Sequence, residues 1–380
     1  MLRSSVRAFV VTAAMFVLPG TSLSQELVSF PVQPEDVPYP TQQWPEIGNS
    51  DPLRIAVTSS IAPAFEGVRP KALARTKALV VVWSGRIVTE RYASGVQSGT
   101  RLQSWSMAKS LLHAALGVAI ADGKIRSQGL VDPPEWRRPN DPRHPITVRQ
   151  MAQMTDGLDF DENYGDPKSP VMQMLFGSGR GDVAGYAAKS LFAREPGTFW
   201  SYSSGSANIL SRKLRDTLGG KHAYLEFLRR RIFLPIGMTS AVAEFDASGT
   251  WIGSSFIHAT ARDYARFGLL YLRGGAWNDK QIVPREWVNV GRTPTLASRG
   301  AYGALFWLNA VNPNTGRNAI SSRLPEDMFM ARGFGGQFIA IIPSRDAVIV
   351  MLNAAYGDDV QPIIDLIADT VDSLPTLDGR

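Results

Sequence analysis

Ser106-Met107-Ala108-Lys109 sets a hydroxyl and an amine three residues apart, just before an apolar run from Ser110 to Ala121 that reads as helix. At about 3.6 residues per turn the two side chains share one face. The serine also stands at the helix start, where unpaired backbone N–H groups favour developing negative charge. An amine can deprotonate that hydroxyl for acyl transfer, provided burial or nearby positive charge lowers its pKa. Leu111, Leu112, Ala114, Ala115 and Leu116 could bury it. An N-cap serine beside a solvated lysine has the same spacing, so the pair needs support from elsewhere in the chain.

Acyl transfer calls for a nucleophile, a base and donors for the oxyanion. Tyr202-Ser203-Ser204 follows the turn residues Pro196-Gly197 and precedes a helical run from Ser206. A tyrosine of depressed pKa beside Lys109 could take the proton from Ser106; a surface turn tyrosine is the plainer reading. Arg332-Gly333-Phe334-Gly335-Gly336-Gln337 leads into a strand. Three glycines at a strand edge let a ligand approach the backbone. The N–H groups of Ser106 and Gln337 could then receive an oxyanion, although a β-bulge without function fits the glycines equally. Other chemistries find less support. No G-x-S-x-G elbow is present. The histidines are His113, His144, His222 and His258, and neither they nor clustered carboxylates show metal-ligand spacing.

The elements that must position these residues follow from the apolar pattern. Ala78–Trp83 and Arg86–Tyr92 flank Ser84-Gly85, and Gln337–Ile342 and Ala347–Leu352 flank Pro343-Ser344-Arg345-Asp346, so each pair reads as an antiparallel hairpin. Between them the strong patterns are helical: Ser110 to Ala121, Ser206 to Thr217, Tyr224 to Phe233 and Ala261 to Leu272. A closing helix is expected from about Asp359 to Ser373. The implied fold is an α+β architecture: an antiparallel sheet made from both chain ends, flanked by helices, with a large, mostly helical inserted region at about residues 125–290.

Among 380 residues, 44% are hydrophobic and 19% charged, a globular composition. Arg3 and Arg7, the apolar stretch Ala8 to Leu18 and the small residues Ser22-Leu23-Ser24 predict a secretory signal over residues 1–24, hence a periplasmic or secreted protein. Residues 25–70, rich in proline to about residue 55, read as a surface leader, and 71–380 as the folded domain. The formal charge of +6 falls to +4 without Arg3 and Arg7, which makes no electrostatic case for nucleic acid. The chain has no cysteine, and so neither disulfides nor thiol catalysis.

Three segments, Ser106 to Lys109, Tyr202 to Ser204 and Phe334 to Gly336, occur in the order and rough spacing of the β-lactamase and penicillin-binding-protein-like serine hydrolases. Trp105 to Ser110 and Ala259 to Gly268 resemble the branch that holds class C β-lactamases, family VIII esterases and 6-aminohexanoate-dimer hydrolases. Gly333 to Gln337 and the segment from Asp156 to Tyr164 resemble the last of these. The resemblance implies a β-lactamase-like fold, with Ser106 as nucleophile, Lys109 as its activating partner and Tyr202 as shared general acid and base. It further implies oxyanion amides from Ser106 and Gln337, and a substrate pocket touching Tyr164, Ser204, Phe334, Gly335 and Gly336. Neither cofactor nor metal is implied. Two departures matter: Ser204 stands where β-lactamases usually carry asparagine, and Phe334 where they carry the lysine that holds the substrate carboxylate. A neutral ester or linear amide is therefore the expected substrate. Weak β-lactamase or D-alanyl-D-alanine peptidase activity, or a non-catalytic penicillin-binding sensor, are the alternatives.

Overall fold

The computed structural model describes residues 27–357 and 359–377; the predicted signal segment, 1–24, lies outside them. The main strands are β1 (Ala78–Trp83), β2 (Arg86–Tyr92), β6 (Trp307–Leu308), β7 (Phe329–Gly333), β8 (Gln337–Ile342) and β9 (Ala347–Leu352). They form one antiparallel sheet in the order β2-β1-β9-β8-β7-β6, so both chain ends meet at its centre. A smaller sheet joins β3 (Leu102–Gln103), β4 (Val242–Ala243) and β5 (Ile257–Ala259), with β5 in the middle. The principal helices are α1 (Pro52–Ile61), α2 (Ala108–Ala121), α3 (Ser204–Leu218), α4 (Ala261–Leu272) and α5 (Gln361–Asp372).

The two predicted hairpins form at the expected strands. Ser84 and Gly85 both take positive φ, 50° and 70°, which suits the twist of a two-residue hairpin loop. The central strands are apolar at successive positions because both faces of the sheet are covered. Val80, Val82, Ile339, Ile341, Val348 and Val350 pack into the core that holds α2 and α4. Leu79, Val81, Phe338, Ala340, Ile349 and Met351 pack into a second core with α1 and α5. Helix α4 lies very close to the sheet: a Cβ on Gly268 would fall 2.5 Å from Val348.

The leader departs from expectation. Pro52 occupies the first turn of α1, whose N-cap Asp51 accepts the Leu53 amide at 2.8 Å. Proline suits that position because its missing N–H would be unpaired there anyway. Val57 and Ile61 anchor the helix in the second core. Upstream, residues 27–50 hold no helix, yet they pack closely: Trp44 is buried, and Arg266 donates to the Pro40 carbonyl at 2.7 Å. The run predicted over Tyr224 to Phe233 becomes an α-helix over Lys221–Leu228 and a π-helical turn over Arg229–Phe233. Its arginines pair with Glu226 and Asp122, as a solvated helix end should.

Asp156 shows a cost built into this fold. It is fully enclosed, and burial raises its carboxyl to about 6 from 3.8, although Oδ1 accepts the Leu158 amide at 3.0 Å. The folded pKa lies above the unfolded one, so stability falls as pH rises from about 4 to about 6, where the unfolded chain ionises first, and stays up to about 3 kcal/mol lower above that. Asp156→Asn is expected to gain stability at pH 8 and little at pH 3.5. Urea unfolding at both pH values checks this; equal gains at the two would remove the titration argument.

Candidate active site

The Ser106 segment is pinned before it is bent. β3 pairs with β5, and the Ser104 hydroxyl accepts the Ile257 amide and donates to the Ser255 carbonyl, both at 3.1 Å. Trp105 then turns the chain with φ at +46°, a left-handed conformation that is strained for a bulky residue. A 3₁₀ turn, Trp105–Met107, leads directly into α2. Rings hold the turn in place: Trp105 lies 5.5 to 6.4 Å from Tyr164, Phe176, Phe256, Phe334 and Tyr356. Ser106 thus ends a sharp corner at the helix N-terminus, where developing negative charge is favoured.

Lys109 is 1% exposed, and its Nζ lies 3.2 Å from Ser106 Oγ, 2.9 Å from Ser204 Oγ and 2.9 Å from the Ser254 carbonyl. The burial the sequence predicts is found, but the groups against Nζ come from α3, the Ser254 segment and the Tyr202 ring rather than from the apolar residues of α2. Desolvation brings the ammonium down to about 8, while the Glu162 carboxylate pulls the other way. Glu162 was not among the residues singled out from sequence, although it lies two positions before Tyr164. It accepts hydrogen bonds from the Ser204 amide and the Ser204 hydroxyl. Burial raises its own carboxyl, against the pull of Lys109. Ser254 was missed as well, since a backbone carbonyl leaves no mark in a motif; its amide is tied to Asn208 of α3 at 3.1 Å.

Tyr202 stands beside this pair with Lys109 Nζ 4.7 Å from its ring centre and its phenol facing Ser106. The expected depressed pKa is not found. Burial, with Tyr302 and Glu162 nearby, raises the phenol well above its usual value, so at neutral pH it is a proton donor rather than a phenolate. The ring is fixed by Tyr302 and Trp307 at 5.9 and 5.3 Å.

Phe334, Gly335 and Gly336 form the turn between β7 and β8 rather than a strand edge; β8 is paired on both sides, by β7 and β9. Gly335 and Gly336 take φ of 78° and 83°. Gly333 lets β7 meet the corner before Ser106, since a Cβ there would lie 2.4 Å from the Ser104 carbonyl. Gln337 opens β8 opposite Gly333 of β7; its side chain is bound to the Asn353 backbone, and it is not among the residues that line the cavity. Ser204 lies behind the wall, its hydroxyl committed to Lys109 and Glu162. Tyr164 is packed against Phe334, ring centres 4.8 Å apart, and its hydroxyl faces Ser204 and Ser255 without closing a hydrogen bond to either.

Ser106, Glu162, Tyr164, Tyr202 and residues 332–336 line one cavity of about 370 Å³. A larger one, about 560 Å³, lies under the N-terminal segment between Phe30 and Arg273 and contains none of these groups. Among the described residues no histidine, aspartate and glutamate side chains converge as a metal-binding set. His113 is stacked on Trp287 in the core, and burial pushes it down to about 3, so it stays neutral.

Fold and site together fit a serine hydrolase, with Ser106 in the 3₁₀ turn that leads into α2 and Lys109 in the first turn of that helix. The chain belongs to the beta-lactamase family, whose model matches residues 71–372. It is 25% identical over 323 residues to the 6-aminohexanoate-dimer hydrolase of Paenarthrobacter ureafaciens, covering 75% of this chain and 74% of that protein. A structure from Bacillus anthracis with the provisional name 6-aminohexanoate-dimer hydrolase superposes with a TM-score of 0.68 at 22% identity, covering 90% of each chain. A family VIII carboxylesterase gives 0.62 at 15% identity, covering 86% of this chain and 99% of the other.

Proposed function

We propose that this protein hydrolyses small esters or linear amides through an acyl-enzyme on Ser106, in the periplasm or outside the cell. The observation that carries this is the 3.2 Å approach of a buried, pKa-lowered Lys109 to the Ser106 hydroxyl beside an open cavity. The substrate carbonyl oxygen lies toward the amides of Ser106 and Gln337. Lys109, in its neutral form, takes the hydroxyl proton as Ser106 attacks. Tyr202, held as a neutral phenol, gives a proton to the leaving oxygen or nitrogen and is replenished from Lys109. Water then enters, loses its proton to the same pair, and releases the acid. Glu162 and Ser204 position Lys109. The names of the relatives, an amide hydrolase and a carboxylesterase, agree with this chemistry. Phe334, stacked between Tyr164 and Tyr356 where a lysine would hold a β-lactam carboxylate, weighs against β-lactamase or peptidase action.

Hydrolysis of p-nitrophenyl butyrate, with and without a fluorophosphonate, tests the reading. The reagent should abolish turnover at one equivalent and leave its mass on the peptide that contains Ser106. Turnover that survives labelling, or a label on another residue, would refute it.

A further inference from the structure

Arg332 is the last residue of β7 before Gly333, and it lines the same cavity as Ser106 and Tyr202. Its guanidinium is held against two rings, 5.5 Å from the centre of Trp307 and 5.6 Å from that of Phe338. Trp307 is also the ring packed on Tyr202, so the cation stands next to the proton donor. Three of the four most enclosed arginines bind carboxylates, Arg212 with Glu135, Arg266 with Asp263 and Arg273 with Asp346, while the fourth, Arg292, lies over Phe30 and donates to Asn289. Among the described residues no carboxylate lies within ion-pair distance of Arg332. Burial lowers its pKa, and the titratable group that counters this is Tyr202, a neutral phenol at working pH.

A guanidinium shielded by protein and left without a counter-charge is unfavourable unless something completes it. Ring faces hold such a group flat while its N–H edge stays free, the geometry that meets a carboxylate with two parallel hydrogen bonds. The rest of the cavity differs in character. Phe334 is stacked between Tyr164 and Tyr356 and meets Trp105 edge-on. That wall suits a planar or otherwise apolar skeleton.

We propose that Arg332 is the specificity-determining cation of this pocket, and that the preferred esters or amides carry an anionic group, a carboxylate in the simplest case, on an apolar, ring-compatible skeleton. This rests on the hydrolase reading above and adds to it the charge of the substrate.

Two esters with one scissile bond separate the claims: 3-(phenylacetoxy)benzoate and its methyl ester, followed by release of the phenol. Hydrolysis of the methyl ester tests the hydrolase reading alone. The ratio of the two kcat/KM values tests Arg332, and it cancels any general loss of folded enzyme. The wild type should favour the carboxylate about tenfold or more, chiefly through KM, as a charge-assisted hydrogen-bonded pair would give. High salt should raise KM for the carboxylate ester alone. Arg332→Met should bring the ratio close to one, and Arg332→Lys should keep part of it. A wild-type ratio of one or below overturns the proposal without any variant. So does a preference that persists in Arg332→Met, or loss of both activities in Arg332→Met and Arg332→Lys alike, which would mark the residue as structural.

Discussion

Lys109→Met is expected to lower kcat/KM for p-nitrophenyl butyrate by about 10³-fold, within the range that a positioned base contributes. With three acceptors at 2.9 to 3.2 Å, Nζ in the resting enzyme has the partners of an ammonium. A value of about 8 leaves roughly one molecule in ten neutral at pH 7, and that fraction supplies the base. Activity should therefore rise with pH through this limb, because protonation of Lys109 removes the acceptor for the Ser106 proton. Methionine keeps most of the volume in an apolar setting but strands the buried Glu162 carboxylate. Lys109→Met with Glu162→Gln should thus recover folding stability without recovering activity. Glu162→Gln alone has a different signature. The Glu162 charge raises the Lys109 pKa, so its removal should shift the acid limb of kcat/KM to lower pH. Stopped assays from pH 5 to 9 on the three variants check this. A loss below tenfold in Lys109→Met would exclude Lys109 as the base.

Much of this site was legible because it is local. The i, i+3 spacing of Ser106 and Lys109 depends only on helix geometry, and the apolar residues after them told that the amine would be buried. The hairpins were legible because uninterrupted β-branched runs and Ser-Gly or Pro-Ser-Arg-Asp turns carry their own geometry. What stayed hidden depends on contacts distant in sequence. Glu162 lies in a loop whose charges otherwise read as solvated, and it matters only because α3 begins at Ser204, 42 residues later. The Ser254 carbonyl has no side-chain signature. The Tyr202 phenol looked like a group to be acidified by a neighbouring amine, yet enclosure by Tyr302 and Trp307 outweighs that neighbour. The glycines after Arg332 signalled close backbone approach correctly, but placing them in a turn rather than at a strand edge required knowing that β7, a short mixed sequence, is also a strand. The leader was misjudged for a related reason: proline counts suggest extension, while a single Asp-Pro pair starts α1.

Tyr202→Phe tests the direction in which the phenol moves its proton. The ring contacts with Tyr302, Trp307 and the Lys109 ammonium are retained in phenylalanine, so stability should change by about 1 kcal/mol, the scale of one lost hydrogen bond. The catalytic consequence depends on the leaving group. Nitrophenolate departs without a proton, whereas an alkoxide or an amine needs one. If the neutral phenol is the acid, kcat should fall by about 10²- to 10³-fold for an alkyl butyrate or a linear amide. For p-nitrophenyl butyrate it should fall far less. A tyrosine acting instead as the base toward Ser106 or water would be needed for every substrate, and the two losses would match. The raised phenol pKa favours the first outcome, since a group that resists ionisation is a poor resting base and a sound donor once Lys109 can reprotonate it. Equal losses on activated and unactivated esters would make Tyr202 the base for both substrates and take that role from Lys109.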